Sequence, residues 1–443
     1  MRRTTVSAIL TILAAVVIGS CTYYVHDYSY PPEYPPSTPD NLTVGSPTET
    51  TLTVYWDAST DATDYQVYRD TSVTGSFATQ AYSGGSETFT DEGLAGGTTY
   101  YYKVRASNSA GASALSAAES GTTTYVPTVY TAGYYLNGSK NVACYWKGSV
   151  KTDLAGDGIH DAYASAICVS DSTVYVSGYY SNGKKLIPCY WTDAVRTDLP
   201  SSTGDAYANS IAVSDGTVYI AGYYVSGCTE LSHTPCYWTG TTPTSLASVT
   251  YTSAYAYSLS LSTDTVYTAG YYVGANRNIP CYWTASVKTD LPSDSYSAQA
   301  SSVFVSGSTV YAAGYYHSCC KDIPCTWTGA MFIPLAGDGS HDARALSVTV
   351  FDGAVYASGW YSDGTKYTPC YWTGNDKTDL SLPGGSPSLA AAASISVFDG
   401  TVYTAGWYND GARNIPCYWT GTIRTDLSGD GTHSAFVKAL FVK

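Results

Sequence analysis

Charge is scarce in this chain. Only 13% of its 443 residues are charged, and acids outnumber bases enough for a formal net charge of -14. A chain so sparing of cations is a poor binder of nucleic acid or anionic lipid through bulk charge. Methionine is nearly absent, with 2 residues. Helical periodicity is missing throughout, and so are a nucleophile elbow, a recognisable catalytic triad and the RGD adhesion tripeptide. The only sustained apolar run, Ile9 to Ile18, is too short to span a bilayer comfortably. What the chain has in quantity is 45 tyrosines and 41 glycines, among abundant Ser and Thr. That mix suits β structure with many turns.

The first 20 residues form a targeting segment, with Arg2 and Arg3 ahead of the apolar run. Ile18-Gly19-Ser20-Cys21 resembles the lipobox of bacterial lipoproteins. That resemblance implies cleavage after residue 20, lipidation of Cys21, and a mature protein anchored to a membrane without spanning it. Thr22 does not resemble the aspartate retention signal of inner-membrane lipoproteins, so outer-membrane or surface display is expected. Residues 21–37 then form a Pro/Tyr-rich tether, with Pro31, Pro32, Pro35 and Pro36 favouring an extended spacer.

Residues 38–124 read as alternating strands broken by Gly, Ser and Asp clusters. Tyr65, Val67 and Arg69 share one face; Tyr100, Tyr102, Val104 and Ala106 share another. Trp56, Tyr68, Leu94, Tyr100, Val104 and the "ASNSAG" turn resemble a fibronectin type III domain. The resemblance implies a two-sheet sandwich with Trp56 in the core and a tyrosine corner at Leu94 to Tyr100. Its implied use is as a spacer, or otherwise as a binding module.

From Val129 the chain repeats. Units begin at Val129, Val174, Val218, Val266, Val310, Val355 and Val402. Each holds four short β segments, with "TVYIAGYY", "PCYW" and "VRTDL" recurring. Four strands in about 45 residues is a propeller pattern. The layout resembles WD-repeat blades without their "GH" and "WD" dipeptides. It is closer to the bacterial extracellular repeats of the HAF type. The final "HSAFVKALFVK" aligns with "GDAYANSIAVS" at 204–214, an innermost strand that the first unit lacks. The expected fold is therefore all-β: a sandwich, then a seven-bladed propeller over residues 125–443, closed by the C-terminal strand.

The pentamer "IPCYW" occurs at 187–191, 279–283 and 415–419, with variants in the other four units. Alternation puts Cys281 and Trp283 on one face and Tyr282 on the other. The seven equivalent cysteines are read as buried packing groups, too far apart for disulfides. Cys319 and Cys320 are read either as free thiols or as partners in a bridge, vicinal or to Cys228. The "TDL" aspartates, such as Asp290, are expected to bind turn amides.

Two sets of loop residues are the binding candidates. "AGDGIHD" at 155–161 and "AGDGSHD" at 336–342 supply Asp157, His160, Asp338 and His341, with a third copy at 428–434. Carboxylate beside imidazole makes these loops candidates for calcium or another divalent ion, or else hydrogen-bonded Asp-Gly turns. The loops after each second strand supply Lys140, Arg277, Lys366 and Arg413, either a cationic rim for a polar ligand or simply a solvated edge. No catalytic set emerges, and a non-enzyme is expected. The expected role is binding of a glycan or protein at the cell surface. The rival readings are a polysaccharide-active envelope enzyme and a purely structural envelope protein.

Overall fold

A computed structural model describes residues 34–443, apart from 202–203, 227–231, 247–252, 294–295 and 385–388. The targeting segment, Cys21, most of the tether and Cys228 lie outside the described residues. Every regular element among the described residues is a β-strand. The chain divides into two compact units, one ending at Val126 and the other running Pro127–Lys443.

The first unit is a sandwich. One sheet pairs Thr43–Gly45, Leu52–Tyr55 and Thr88–Asp91; the other joins Asp64–Asp70, Thr79–Gly84, Thr99–Asn108, Gly111–Ala112 and Glu119–Thr122. Strand alternation sends Tyr65, Val67, Tyr102, Val104 and Ala106 inward against Leu52, Val54 and Trp56. The amide of Ala95 donates to the Tyr100 hydroxyl at 3.0 Å, which ties the corner expected at Leu94 to Tyr100. Asp91, itself buried, accepts from Arg69 and from the Tyr102 hydroxyl, each at 2.9 Å. A buried carboxylate needs such partners.

The second unit holds seven four-stranded antiparallel sheets among its described residues. They are numbered 1 to 7 here in chain order. Sheet 3 is representative, running Ala206–Ser214, Thr217–Val225, His233–Thr239 and Thr242–Ser245 in spatial order. Asp215 and Gly216, both at positive φ, form the two-residue turn between its first two strands. Sheet 1 draws on both ends of the unit. Val129–Leu136, Asn141–Lys147 and Val150–Asp153 come from its start, and Ala435–Val442 pairs beside Val129–Leu136 from the chain's end. The amide of Thr128 also donates to the carbonyl of Lys443 at 2.6 Å.

First strands of successive sheets touch. Ala162–Ser170 meets Ala206–Ser214, the series continues to Ala390–Phe398, and Ala435–Val442 touches both that strand and Ala162–Ser170. Their outer edges would otherwise expose unpaired amides. Serines manage this. The amides of Leu259, Val303, Val348, Ile395 and Leu440 donate to Ser210, Ser258, Ser302, Ser347 and Ser394 of the preceding sheet, at 3.0 to 3.3 Å. Alanine, Ala166 or Ala439, takes that place in sheets 2 and 1.

Each first strand also carries a bulge, so that Ala256 and Ser258, for example, face consecutive residues Gly270 and Ala269. A Cβ at Gly270 would land on the Tyr255 carbonyl oxygen, and the same holds at Gly133, Gly178, Gly222, Gly314, Gly359 and Gly406. The glycine of each "GYY" is thus dictated by the bulge opposite it.

Candidate functional site

The pentamer sits in the third strand of each sheet. Cys281 pairs across from Gly270 on one side and Asp290 on the other. All seven equivalent cysteines and all seven tryptophans are buried, whereas Tyr282 is only half-buried. Burial pushes each of these thiols well above its ordinary range. They are inert packing groups. In six of the seven sheets the indole N–H also donates to a carbonyl in the loop leading from the preceding sheet, Trp283 being the exception among the described residues. Trp191 reaches Ala155, Trp238 reaches Pro200, Trp327 reaches Pro292, Trp372 reaches Ala336 and Trp419 reaches Ser381, at 2.7 to 2.9 Å.

The "TDL" aspartates do not bind turn amides, contrary to expectation. Each accepts from the second tyrosine of its own "YY" or "WY" pair: Tyr135 to Asp153, Tyr180 to Asp198, Tyr272 to Asp290, Tyr361 to Asp379 and Tyr408 to Asp426, at 2.9 to 3.1 Å. The cation two residues earlier pairs with the same carboxylate and lies over the same ring. Lys377 is 3.1 Å from the Tyr361 centroid and Lys151 is 3.4 Å from that of Tyr135. Register carries the aspartate to the end of the fourth strand beside that tyrosine, so these carboxylates are tied up structurally.

The Asp/His loops are tied up as well. Asp157 accepts from the amides of Ile159 and His160, at 2.8 and 2.7 Å, and from His160 Nδ1–H at 2.5 Å. Asp338 with His341 and Asp430 with His433 repeat the arrangement. The His160 ring bond and the two amides hold the Asp157 carboxyl well below its ordinary range. For Asp338, burial pushes the carboxyl up, but the His341 ring and two amides outweigh it and hold it at about 2. Asp161 and Asp342, at the ends of these loops, cap the third strand of the preceding sheet through the amides of Asn141 and Asp322, at 2.7 and 2.8 Å.

The cation loops meet these loops from the other side. Lys140 donates to the Gly158 carbonyl, Lys321 to Gly339 and Arg413 to Gly431. The imidazoles of His160, His341 and His433 in turn lie against Gly183, Gly364 and Gly138, where a Cβ would crowd the ring. Each Asp/His loop is therefore clasped between consecutive sheets, and the third copy clasps sheet 7 to sheet 1. Arg277 donates instead to the Tyr296 carbonyl at 3.3 Å, and Lys366 makes no side-chain hydrogen bond among the described residues. Among those residues, no group of three or more His, Cys, Asp or Glu is arranged to hold a metal ion. Cys319 and Cys320 are exposed free thiols forming the two-residue turn between Ser318 and Lys321, both at positive φ.

A pocket of about 390 Å³ opens where Arg413, Asp426, Gly431 and His433 converge. Its counterpart at Lys140, Gly158 and His160 is about 190 Å³. Nearby, the first aromatics of the "YY" pairs form a belt with tyrosines of the first strands. Ring centroids run Trp407 to Phe436 at 5.2 Å, then Tyr134 at 5.1 Å, Tyr163 at 4.8 Å, Tyr179 at 5.1 Å and Tyr207 at 4.9 Å. The belt continues through Tyr223 and Tyr255 to Tyr271. Most of these rings are half-buried. In sheet 6 the first-strand place is taken by Arg344, 4.2 Å from the Tyr315 centroid. Sequence reading overlooked Arg344, which pairs with Asp322. It also overlooked Lys438 on the closing strand, although the alignment with Asn209 would have marked that residue as the odd one out.

Comparison with known proteins bears on the first unit. Residues 36–122 match the fibronectin type III domain family, and this unit is such a domain. The chain is 41% identical over 104 residues to a poly(3-hydroxybutyrate) depolymerase of Ralstonia pickettii, a match covering 23% of this chain and 20% of that protein. It is 42% identical over 101 residues to exoglucanase B of Cellulomonas fimi, covering 22% and 9% respectively. The chain thus spans a fifth or less of these curated relatives. Among solved structures, an Fn3-like protein from Clostridium thermocellum is 28% identical, with a TM-score of 0.18 over 20% of this chain and 93% of that one.

Proposed function

We propose that Pro127–Lys443 is a seven-bladed propeller held at the cell surface through lipidated Cys21, with the fibronectin type III domain as its spacer, and that it binds a glycan at the end bearing the cation and Asp/His loops. Support for the ring comes from contacts that join the unit's two ends. Ala435–Val442 completes sheet 1, Ser394 caps Leu440, and His433 lies against Gly138. Support for surface display comes from the sequence around Cys21 and the proline-rich tether.

The belt of half-buried tyrosines carries the binding reading. Aromatic faces with hydroxyls at their rims suit sugar rings, which present C–H faces and polar edges. The loops around the belt differ from unit to unit while the strands beneath barely change, and recognition usually resides in loops held on a rigid frame. The relatives named for depolymerase and exoglucanase activity match over about one domain's length, so hydrolysis is not carried across.

The test is a glycan array probed with residues 22–443. Binding to a hit should fall at least tenfold in Tyr163→Ala or Tyr207→Ala, and stay unchanged on altering exposed residues of the first unit. A hit retained by the first unit alone would move the site there. Turnover of the bound glycan would favour the enzyme reading.

A further inference from the structure

The bulge in each first strand leaves one residue without a partner across the ladder. These residues are Ser165, Asn209, Tyr257, Ser301, Leu346 and Ala393, and in the closing strand Lys438. A bulge turns its extra residue out of the ladder. First strands are the ones that touch from sheet to sheet, so in a closed ring the bulge residues face a common lumen. Six are neutral and one is a cation.

Lys438 is exposed to solvent, while its six counterparts are half-buried. Burial nevertheless draws its ammonium below the ordinary lysine range. In a closed ring, the walls of the lumen would desolvate a side chain that still touches solvent, and desolvation disfavours the charged ammonium. None of the six counterparts is acidic, and Lys438 forms no ion pair among the described residues. The Tyr134 ring, with its centroid 5.8 Å from Nζ, is the aromatic surface beside it. A confined cation without a counter-charge concentrates its field on whatever anion enters.

The aromatic belt lies on the way in. Phe436 and Tyr163 precede the bulge residues by two positions, and their strands begin just after the Asp/His loops. A ligand arriving from the loop-bearing end therefore meets aromatic rings first and the ammonium next.

We infer that Lys438 receives the carboxylate of a sugar acid that enters the lumen from the loop-bearing end, with its ring against the aromatic belt. This rests on the ring and glycan readings above and narrows the ligand to an acidic sugar.

The experiment uses residues 22–443, which retain every described residue, with lysines ¹³C-dimethylated and followed by NMR. Lys438→Arg identifies the signal. The Lys438 resonance should titrate below those of the surface lysines and move on adding glucuronate. Binding should weaken at least tenfold in Lys438→Met and largely survive in Lys438→Arg. Glucose should leave the resonance in place. If Lys438 titrates with the surface lysines, the recess and the ring reading fail together. If it titrates low but ignores glucuronate, the receptor inference fails while the ring stands. Acetate binding as tightly as glucuronate would keep the carboxylate site but remove the sugar, and with it the glycan reading. Unchanged glucuronate affinity in Lys438→Met overturns the inference outright.

Discussion

The indole N–H of Trp146 donates to the carbonyl of Ser428 at 2.8 Å, across 282 residues of sequence. It is the same bond that Trp191 makes to Ala155 only 36 residues away. The first sheet thus treats the last as its predecessor. Removing residues 433–443 should leave Val129–Leu136 without its neighbour and expose a row of unpaired amides. A loss of several kcal/mol should lower the melting temperature by roughly 10 °C or more, with aggregation visible by light scattering. An unaltered melt would show that this strand does not hold the unit together.

Trp283→Ala should destabilise the second unit by about 3–5 kcal/mol, as buried tryptophan truncations do. Cys281→Ala, which removes one small apolar group, should cost far less. Denaturant titration gives both values. Thiol reagents should modify Cys319 and Cys320 in the native protein, and Cys281 only after unfolding. Fast native labelling of Cys281 would contradict its burial.

Thr131, Thr268 and Thr404 hold equivalent places in their second strands, fully or almost fully buried, and their hydroxyls have no hydrogen-bond partner among the described residues. Val176 and Ile220 fill the same place in sheets 2 and 3. Thr268→Val keeps the shape and removes an orphaned hydroxyl, so it should stabilise by about 1 kcal/mol. The denaturant midpoint should rise at unchanged slope. A fall would point to a bound water satisfying the hydroxyl.

Asp338 has its carboxyl held at about 2 in the folded chain, against an ordinary 3.8. A depressed carboxylate adds stability above its unfolded value and loses it as pH falls through the folded one. Replacing Asp338 with Asn should therefore lower the melting temperature by a constant amount above about pH 5. The gap should narrow as pH falls below that and be largely closed at about pH 2. A gap that persists in acid would assign the effect to lost amide bonds alone.

Much of this architecture could be read from the chain because it is local. A period of two placed Cys281 and Trp283 on one face, and both are buried. Likeness to 204–214 placed the last strand beside Val129–Leu136, where it pairs. What escaped depends on register between strands. Tyr272 and Asp290 are 18 residues apart and meet only because the second, third and fourth strands align as they do. Reading the aspartates as turn caps followed from looking at their neighbours in sequence. The bulge was hidden for the same reason, since nothing in "AFVKALFVK" marks Lys438 as the unpaired residue. The Asp/His loops looked like ligand sites because their residue types are those of ligand sites. Only geometry shows that each carboxylate is already bound to its own histidine.

The pairing of Ala435–Val442 with Val129–Leu136 also bears on the order of events at the ribosome. The earliest repeat sheet to be synthesised cannot be finished until Ala435–Val442, which follows the strands of all six other sheets, has been made. Until then the growing chain holds an open edge, a natural handle for chaperones. A product that lacks Ala435–Val442 keeps that edge for good. This strand therefore acts as a check that every sheet before it has been made, because only a chain that carries it can cover Val129–Leu136.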